Sequence, residues 1–349
     1  PLTFSTIVAS FAKYEDFTTM KKIGGNTLFW FVLTAFFAGI VGIIVGVSSH
    51  IGFGLSIQND ITSQLASNTP SIRNTFLDMI PSNIIAEIAK DKIIPVILFA
   101  IFFGLALSSL GDGGKTVRLF FSEFSEVMFK ITRVIIKLSP IGIFVLMAEF
   151  SNKYGFESLI PLAQFIVMMY VACVIQIIVY LILLMVFARK SPIDFIRGFL
   201  PAMITAFSTS SSMGTLPVTM ERLVGNLGVR SDIAGFVAPL GANMKMDACG
   251  AIFPAMVCIL TANLLHIDLT IVQYILIFFL SVIATFCTVG MPGTALMSAT
   301  FVLVGMGFPL DGLAIVLGVD RIVDMMRTMT NVTGTGTCAV LVDRTTKSK

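Results

Sequence analysis

The stretch TLFWFVLTAFFAGIVGIIVGV, residues 27–47, contains 21 residues and not one charge. As an α-helix it rises about 30 Å, the thickness of a bilayer's hydrocarbon core. It reads as a membrane-spanning helix, and the composition agrees. The chain of 349 residues is 56% hydrophobic and 12% charged, whereas soluble domains carry about 25% charged residues. Mean hydropathy is +0.94. Too little polar surface exists to cover a water-exposed globule, so lipid is the expected solvent. A net charge of +3 gives no reason to expect a nucleic-acid partner, and Lys and Arg read instead as topology signals.

Five cysteines (Cys173, Cys249, Cys258, Cys287 and Cys338) lie in apolar or small-residue stretches, with no CxxC pair and no histidine near them. Buried thiols are expected, not a metal or disulfide framework. The first residues, PLTFSTIVASFA, read like the end of a helix already under way, so an N-terminal truncation is expected. GDGGK, residues 111–115, lacks the upstream glycine of a phosphate-binding loop because position 109 is Ser109; it reads as a linker.

Further spans are expected over 116–150 and 157–188. The first carries Glu123, Glu126, Lys130, Arg133 and Lys137 at helical spacing, the pattern of a solvated or helix-contacting face. Lys13, Lys21, Lys22, Arg189, Lys190 and the tail RTTKSK fit one cytoplasmic side. Beyond residue 190 the apolar runs are interrupted. FIRGFLPAMITAF stops at STSSSMGT (208–215) and resumes as LPVTMERLVGNL; LTIVQYILIFFLSVIATF stops at CTVGMPGT (287–294) and resumes as ALMSATFVLVGMGF. Each broken pair precedes a long helix with polar residues in its middle, 230–264 and 311–343. Residues 193–264 and 268–343 therefore read as two copies of one plan. Paired interruptions in matching positions point to a transporter's substrate site, because non-helical backbone survives at membrane depth only beside protein or a watery cavity.

Asp320, Asp324, Arg327, Asn331 and Thr335 follow one another at spacings of 4, 3, 4 and 4, which puts them on one helix face with Thr328 beside them. An acidic or guanidinium side chain at a helix centre costs about 3 kcal/mol on insertion scales. Such a stripe reads as a pocket, with Arg327 for a carboxylate through its planar fork and Asp324 for an ammonium. The alternative is an Asp–Arg lock between helices with no ligand. The tip STSSSMGT offers hydroxyls and free N–H groups at the start of a half-helix, suited to an anionic group. Ser211 is not expected to be a nucleophile, since there is no GxSxG and no neighbouring histidine.

Four segments, TAFSTSSSMGTLPVT, PLGANMKMD, VGMPGTAL and DMMRTMTNVTG, resemble in this order the signatures of the dicarboxylate/amino acid:cation symporter family, which includes the sodium:dicarboxylate and glutamate transporters. The resemblance covers essentially the whole chain. It implies an all-α integral membrane protein of the eight-helix elevator type, with two re-entrant helical hairpins and here N-terminally truncated. The implied map is 1–21, the end of the second helix; 22–50, the third; 73–156, the fourth and fifth, forming a scaffold for trimerisation; and 157–190, the sixth. Hairpin 1 is 191–226, the seventh helix with a broken midsection 227–264, hairpin 2 (the gate) 268–308, and the eighth helix with a cytoplasmic tail 311–349. The resemblance further implies a homotrimer in the cell membrane, crossing it several times. Carried over, Asp324 would hold a substrate amino group and Arg327 its distal carboxylate. Thr328, Asn331, Ser211, Ser212 and Cys249 would add contacts, and Gly290 and Met291 would close over the ligand.

The departures concern cations. Where the family reads NMD, this chain has Lys245 before Asp247. Where its last helix carries an aspartate, this chain has Thr335. Where its third helix offers a tyrosine and a Thr-Ser pair, this chain has Phe31, Thr34 and Ala35. The remaining implied cation groups are Asp247, Thr34 and Asn331, with carbonyls around Gly241, Asn243, Thr285 and Thr288; sodium could bind at Asp247, Thr34 and backbone carbonyls. Lys245 is expected beside Asp247, Asn331 or Asp320, in the place of a sodium ion. Three roles stay open for it: a static partner, a proton carrier, or a snorkelling, uninvolved lysine.

The expected function is therefore cation-coupled symport of amino acids, acidic ones above all, with Na⁺ or H⁺ as coupling ion and no cofactor. C4-dicarboxylate or cystine symport is the near alternative, and an ion or anion channel the alternative of another class. An enzyme is not expected, since no nucleophile–base or metal constellation stands in the sequence.

Overall fold

A computed structural model describes residues 4–5, 8–9, 17–52, 83–89, 93–128, 130–131, 134, 159–288, 290 and 292–347. The described residues are helical, without a strand. We number the helices in chain order: α1 (Phe17–Ser48), α2 (Ile84–Ala89), α3 (Ile93–Ser109), α4 (115–128) and α5 (Leu159–Leu183), the last ending in a π turn, Leu184–Ala188. Then come α6 (Pro192–Thr209), α7 (Ser212–Gly225), α8 (Ser231–Met244), a second π turn (Asp247–Ile252), α9 (Phe253–Leu264), α10 (Ile271–Cys287), α11 (Ala295–Gly305), α12 (Asp311–Leu317) and α13 (Asp320–Lys347).

Among the described residues, three helical stretches are long and apolar enough to cross a membrane: Ile23–Ser48, Leu162–Ala188 and Ser231–Leu264. The third is the axis of the molecule, 94% buried against 50% and 44% for the others. A helix this apolar and buried all round needs protein neighbours on every side. α9 packs on α1, α11 and α12, while α13 packs on α1, α5, α6, α7 and α8. The outer helices turn large apolar side chains outward, such as Phe29 and Ile44 on α1 and Val167, Val174 and Ile178 on α5, a surface suited to hydrocarbon.

The interruptions have local causes. Between α6 and α7, Ser210 takes a left-handed conformation (φ 50°) and Ser211 an extended one, and the Ser211 hydroxyl caps α7 by accepting from Gly214 N at 3.0 Å. The break spans two residues, narrower than the expected 208–215. Ser208 and Thr209 stay helical, with their hydroxyls donating to carbonyls four residues back, a pattern that serine and threonine adopt inside helices. α8 ends at Met244; Lys245 and Met246 leave helical geometry before the π turn begins. α10 starts with a reciprocal Thr270–Gln273 capping box, and α10 and α11 are separated by 288–294, with Gly293 at φ 81°.

Three expectations need correction. α1 begins at Phe17 and runs through the expected boundary at 21/22, since FTTMKKI contains no helix breaker. The stretch expected as one helix over 311–349 is broken at Gly318–Val319, between α12 and α13. Cys173, Cys249, Cys258 and Cys338 are buried, whereas Cys287 is only partly so. The expected linker at GDGGK is a 3₁₀ turn, Gly111–Gly114. Glu123, Glu126 and Lys130 are exposed, while Arg133, Lys137, Lys13 and most of 50–82 and 135–158 lie outside the described residues.

One end of the bundle is polar. Lys190 Nζ donates to Leu227 O at 2.6 Å, Arg230 pairs with Asp343 at 2.9 Å, and Asn26 donates to Thr345. Burial, and then the charge of Arg344, hold the Lys190 ammonium below its ordinary pKa against the opposing pull of Asp194 and Asp343. The N-terminal part of α1, the ends of α5, α7 and α13 and the start of α8 thus share the side carrying Arg189 and Lys190.

Candidate substrate and cation site

α13 carries the expected stripe, and the stripe is interior: Asp320, Asp324, Arg327, Thr328, Asn331 and Thr335 are all buried. Arg327 is 0% exposed. Its Nη2 donates to Asp320 Oδ1 at 2.6 Å and to Asp324 Oδ1 at 3.1 Å, and its guanidinium lies 4.0 Å over the Phe253 ring on α9. Spacings of three and seven residues put both carboxylates within reach along one helix, so the Asp–Arg pairing lies within α13, not between helices. Arg327 Nε and Nη1 have no partner among the described residues. Buried guanidinium donors without acceptors are costly unless an acceptor arrives. The free Nε and Nη1 hydrogens lie on different sides of the guanidinium, because both bidentate forks include Nη2, and they offer separate charge-assisted donors to a carboxylate.

Asn331, one turn further, joins this charged group to the broken axis. Its Oδ1 accepts from Ala248 N at 2.8 Å, filling an amide that the break would otherwise orphan. Its Nδ2 lies 3.1 Å from Cys249 Sγ and 3.4 Å from Met246 Sδ. Cys249 Sγ is in turn 4.0 Å from Asp324 Oδ1, and its carbonyl accepts from Ser298 on α11 at 2.7 Å. Cys249, Asp324 and Asn331 are thereby brought together.

The second charged group sits at the break itself. Lys245 Nζ is 2.7 Å from Asp247 Oδ2, and the Tyr180 hydroxyl, from α5, donates to the same oxygen at 2.6 Å. Nζ lies 3.3 Å from the Tyr180 oxygen and 4.6 Å from its ring centroid. Lys245, Asp247 and Tyr180 are all 0% exposed. Asn331 and Asp320 are not its partners; they are engaged at Ala248 and Arg327. α13 passes closely here. A Cβ at Gly334 would collide with Lys245 Nζ and the Tyr180 ring, and one at Gly241 would collide with the Thr335 side chain.

The interrupted tips meet beside these groups. Met213 N donates to Gly290 O at 3.2 Å, and a Cβ on Gly290 would strike Ala242 O, Ser212 and Met246. Ser212 is buried with its Oγ 4.0 Å from Met246 Sδ, while Ser211 is committed to capping α7. Met291 lies outside the described residues. The other candidate cation groups are tied locally. Thr34 donates to Phe31 O and accepts at its carbonyl from Gln176, Thr285 donates to Ser281 O, Thr288 to Ala284 O and Asn243 to Pro239 O. None of these bonds runs to Asp247.

Tyr180, Phe253, Met246 and Gly334 complete the site without having been singled out from sequence. Gln176 carried a usable signal, an amide inside an otherwise apolar span. Tyr180 carried none, since a tyrosine in such a span reads as packing.

Interrupted apolar helices that gather charges in the interior are the architecture of membrane transport proteins. The chain belongs to the sodium:dicarboxylate symporter family, whose profile matches residues 1–345. It is 31% identical over 352 residues to a proton/sodium-glutamate symport protein of Geobacillus stearothermophilus, covering 99% of this chain and 83% of the relative. It is 33% identical over 353 residues to the proton/glutamate-aspartate symporter of Escherichia coli K12, covering 98% and 80%. It is 32% identical over 355 residues to C4-dicarboxylate transport protein 2 of Polaromonas naphthalenivorans, covering 99% and 79%.

Proposed function

We propose that this protein is a cation-coupled secondary symporter of acidic amino acids, multi-pass in the cell membrane, working by an elevator mechanism as a homotrimer. The observation that carries the reading is Arg327: wholly buried, held by Asp320 and Asp324, with Nε and Nη1 unpartnered. Those free donors suit a substrate's side-chain carboxylate, and Asp324 beside them suits the ammonium. In this interior the carboxylates Asp247, Asp320 and Asp324 outnumber the cations Lys245 and Arg327 by one. The surplus negative charge lies with the Asp320–Asp324 pair, which favours an amino acid over a substrate bearing carboxylates alone. In this reading α6–α7 and α10–α11 are the re-entrant hairpins, the second serving as gate, and the coupling ion is Na⁺ or H⁺.

C4-dicarboxylate transport is the second reading, favoured by the names of relatives such as the Polaromonas protein. Uptake of labelled glutamate into proteoliposomes, under sodium and pH gradients imposed separately and with aspartate, succinate and cystine as competitors, tests both. Competition by succinate but not aspartate would replace the first reading with the second.

A further inference from the structure

We propose that Lys245 is a covalently tethered counter-cation for Asp247, so that this carboxylate takes no ion from solution. The proposal deepens the reading of a cation-coupled symporter by assigning one buried acidic position that contributes nothing to the coupling.

The geometry is that of a filled site. Asp247 Oδ2 receives an ammonium at 2.7 Å and a phenol hydrogen at 2.6 Å, with all three side chains 0% exposed. A carboxylate held away from water requires a compensating positive charge and hydrogen bonds, and both are supplied within the chain. The surroundings fit an ammonium. One carboxylate oxygen, one phenol oxygen and the face of the Tyr180 ring lie around Nζ, and an aromatic face is a recognised seat for an organic cation. Asp247 Oδ1 has no partner among the described residues. With the charge already balanced at Oδ2, it offers an acceptor for a hydrogen bond more than a seat for a second cation.

The surrounding residues are shaped to this arrangement. α13 has glycine where its Cβ would occupy the space of Nζ and the Tyr180 ring. Lys245 and Asp247 are two residues apart, on the single break between α8 and the π turn. No sliding of one helix against another separates them, so the neutralisation persists wherever this segment moves.

The test is thermal unfolding of the purified full chain in sodium chloride and in choline chloride at equal ionic strength. Lys245→Asn leaves Asp247 without its cation. It should gain a saturable sodium-dependent rise in Tm beyond any rise in the original protein, about 5 °C at a hundredfold excess of sodium over its Kd. The double variant Lys245→Met/Asp247→Leu removes both charges and should fold and respond to sodium as the original does. Lys245→Asn without an added sodium response, folded or not, would overturn the proposal. So would a double variant that fails to fold, because a pair that only balances itself is dispensable as a pair. No substrate enters this measurement, so its failure leaves the symport reading standing. Absence of glutamate uptake alongside an intact sodium response would remove the symport reading alone.

Discussion

Arg327→Lys separates the two jobs that the guanidinium performs. One is internal: Nη2 neutralises Asp320 and Asp324 at 2.6 and 3.1 Å. A lysine ammonium can take over that contact, so the variant should fold, whereas removing the charge outright breaks a buried ion pair at a cost of about 3–5 kcal/mol. The other job is external: the Nε and Nη1 donors, on different sides of the guanidinium, have no protein acceptor among the described residues. With two hydrogens directed at the aspartates, an ammonium keeps a single donor for a substrate carboxylate. A ligand that takes a donor from each nitrogen therefore loses one charge-assisted hydrogen bond, about 1.5–3 kcal/mol, or roughly a 10- to 150-fold weaker interaction. The measurement is the KM for glutamate in proteoliposome uptake, beside serine as an amino acid without the second carboxylate. Glutamate should lose the whole factor and serine little of it. A glutamate KM that moves less than about threefold, or a serine KM that moves equally, would refute the assignment of the free donors to the side-chain carboxylate.

Other perturbations test the surrounding frame. Tyr180→Phe removes one of the two donors to Asp247 Oδ2 and should destabilise the protein by about 1.5–3 kcal/mol, seen as a lower Tm; an unchanged Tm would show the hydroxyl to be superfluous. Gly334→Ala places a methyl against Lys245 Nζ and the Tyr180 ring, and overpacking of this kind costs about 1–3 kcal/mol, measurable in the same melt. Ser211→Ala deletes the cap that accepts from Gly214 N and should cost about 1 kcal/mol locally. Amide exchange should then quicken at Met213–Thr215, and unchanged exchange there would discount the cap.

Much of this was legible from the chain because the controlling physics is local. A charge-free run of 21 residues states its own environment, and the interruption at 287–294 announces itself by glycine and proline. The stripe from Asp320 to Thr335 follows from helical period alone, and the structure keeps it on one buried face. The polar tip at 208–215 is wider in sequence than the break in structure because serine and threonine can bond back to their own helix, as Ser208 and Thr209 do. The break at Gly318–Val319 is not legible because a lone glycine between apolar turns resembles an ordinary helical glycine. Tyr180 and Phe253 were not legible. Tyr180 lies 67 residues before Asp247, and Phe253 reaches Arg327 only because α9 packs on the same interior as α13. Tertiary juxtaposition of this kind leaves no mark in the periodicity of either segment.

The pairing of Arg327 with Asp320 and Asp324 inside one helix bears on biogenesis. Taken singly, each such charge costs about 2.5–3.5 kcal/mol on leaving the translocon for lipid, and α13 is not one of the three described stretches apolar enough to cross a membrane by themselves. Counter-charges three and seven residues away are available as soon as these two turns of helix form, before any neighbouring helix has docked. The segment can therefore approach the membrane interior with its dearest charge already shielded. Tyr180 lies earlier in the chain than the Lys245–Asp247 pair that it serves, so the order of synthesis also has that partner in place when the broken axis arrives.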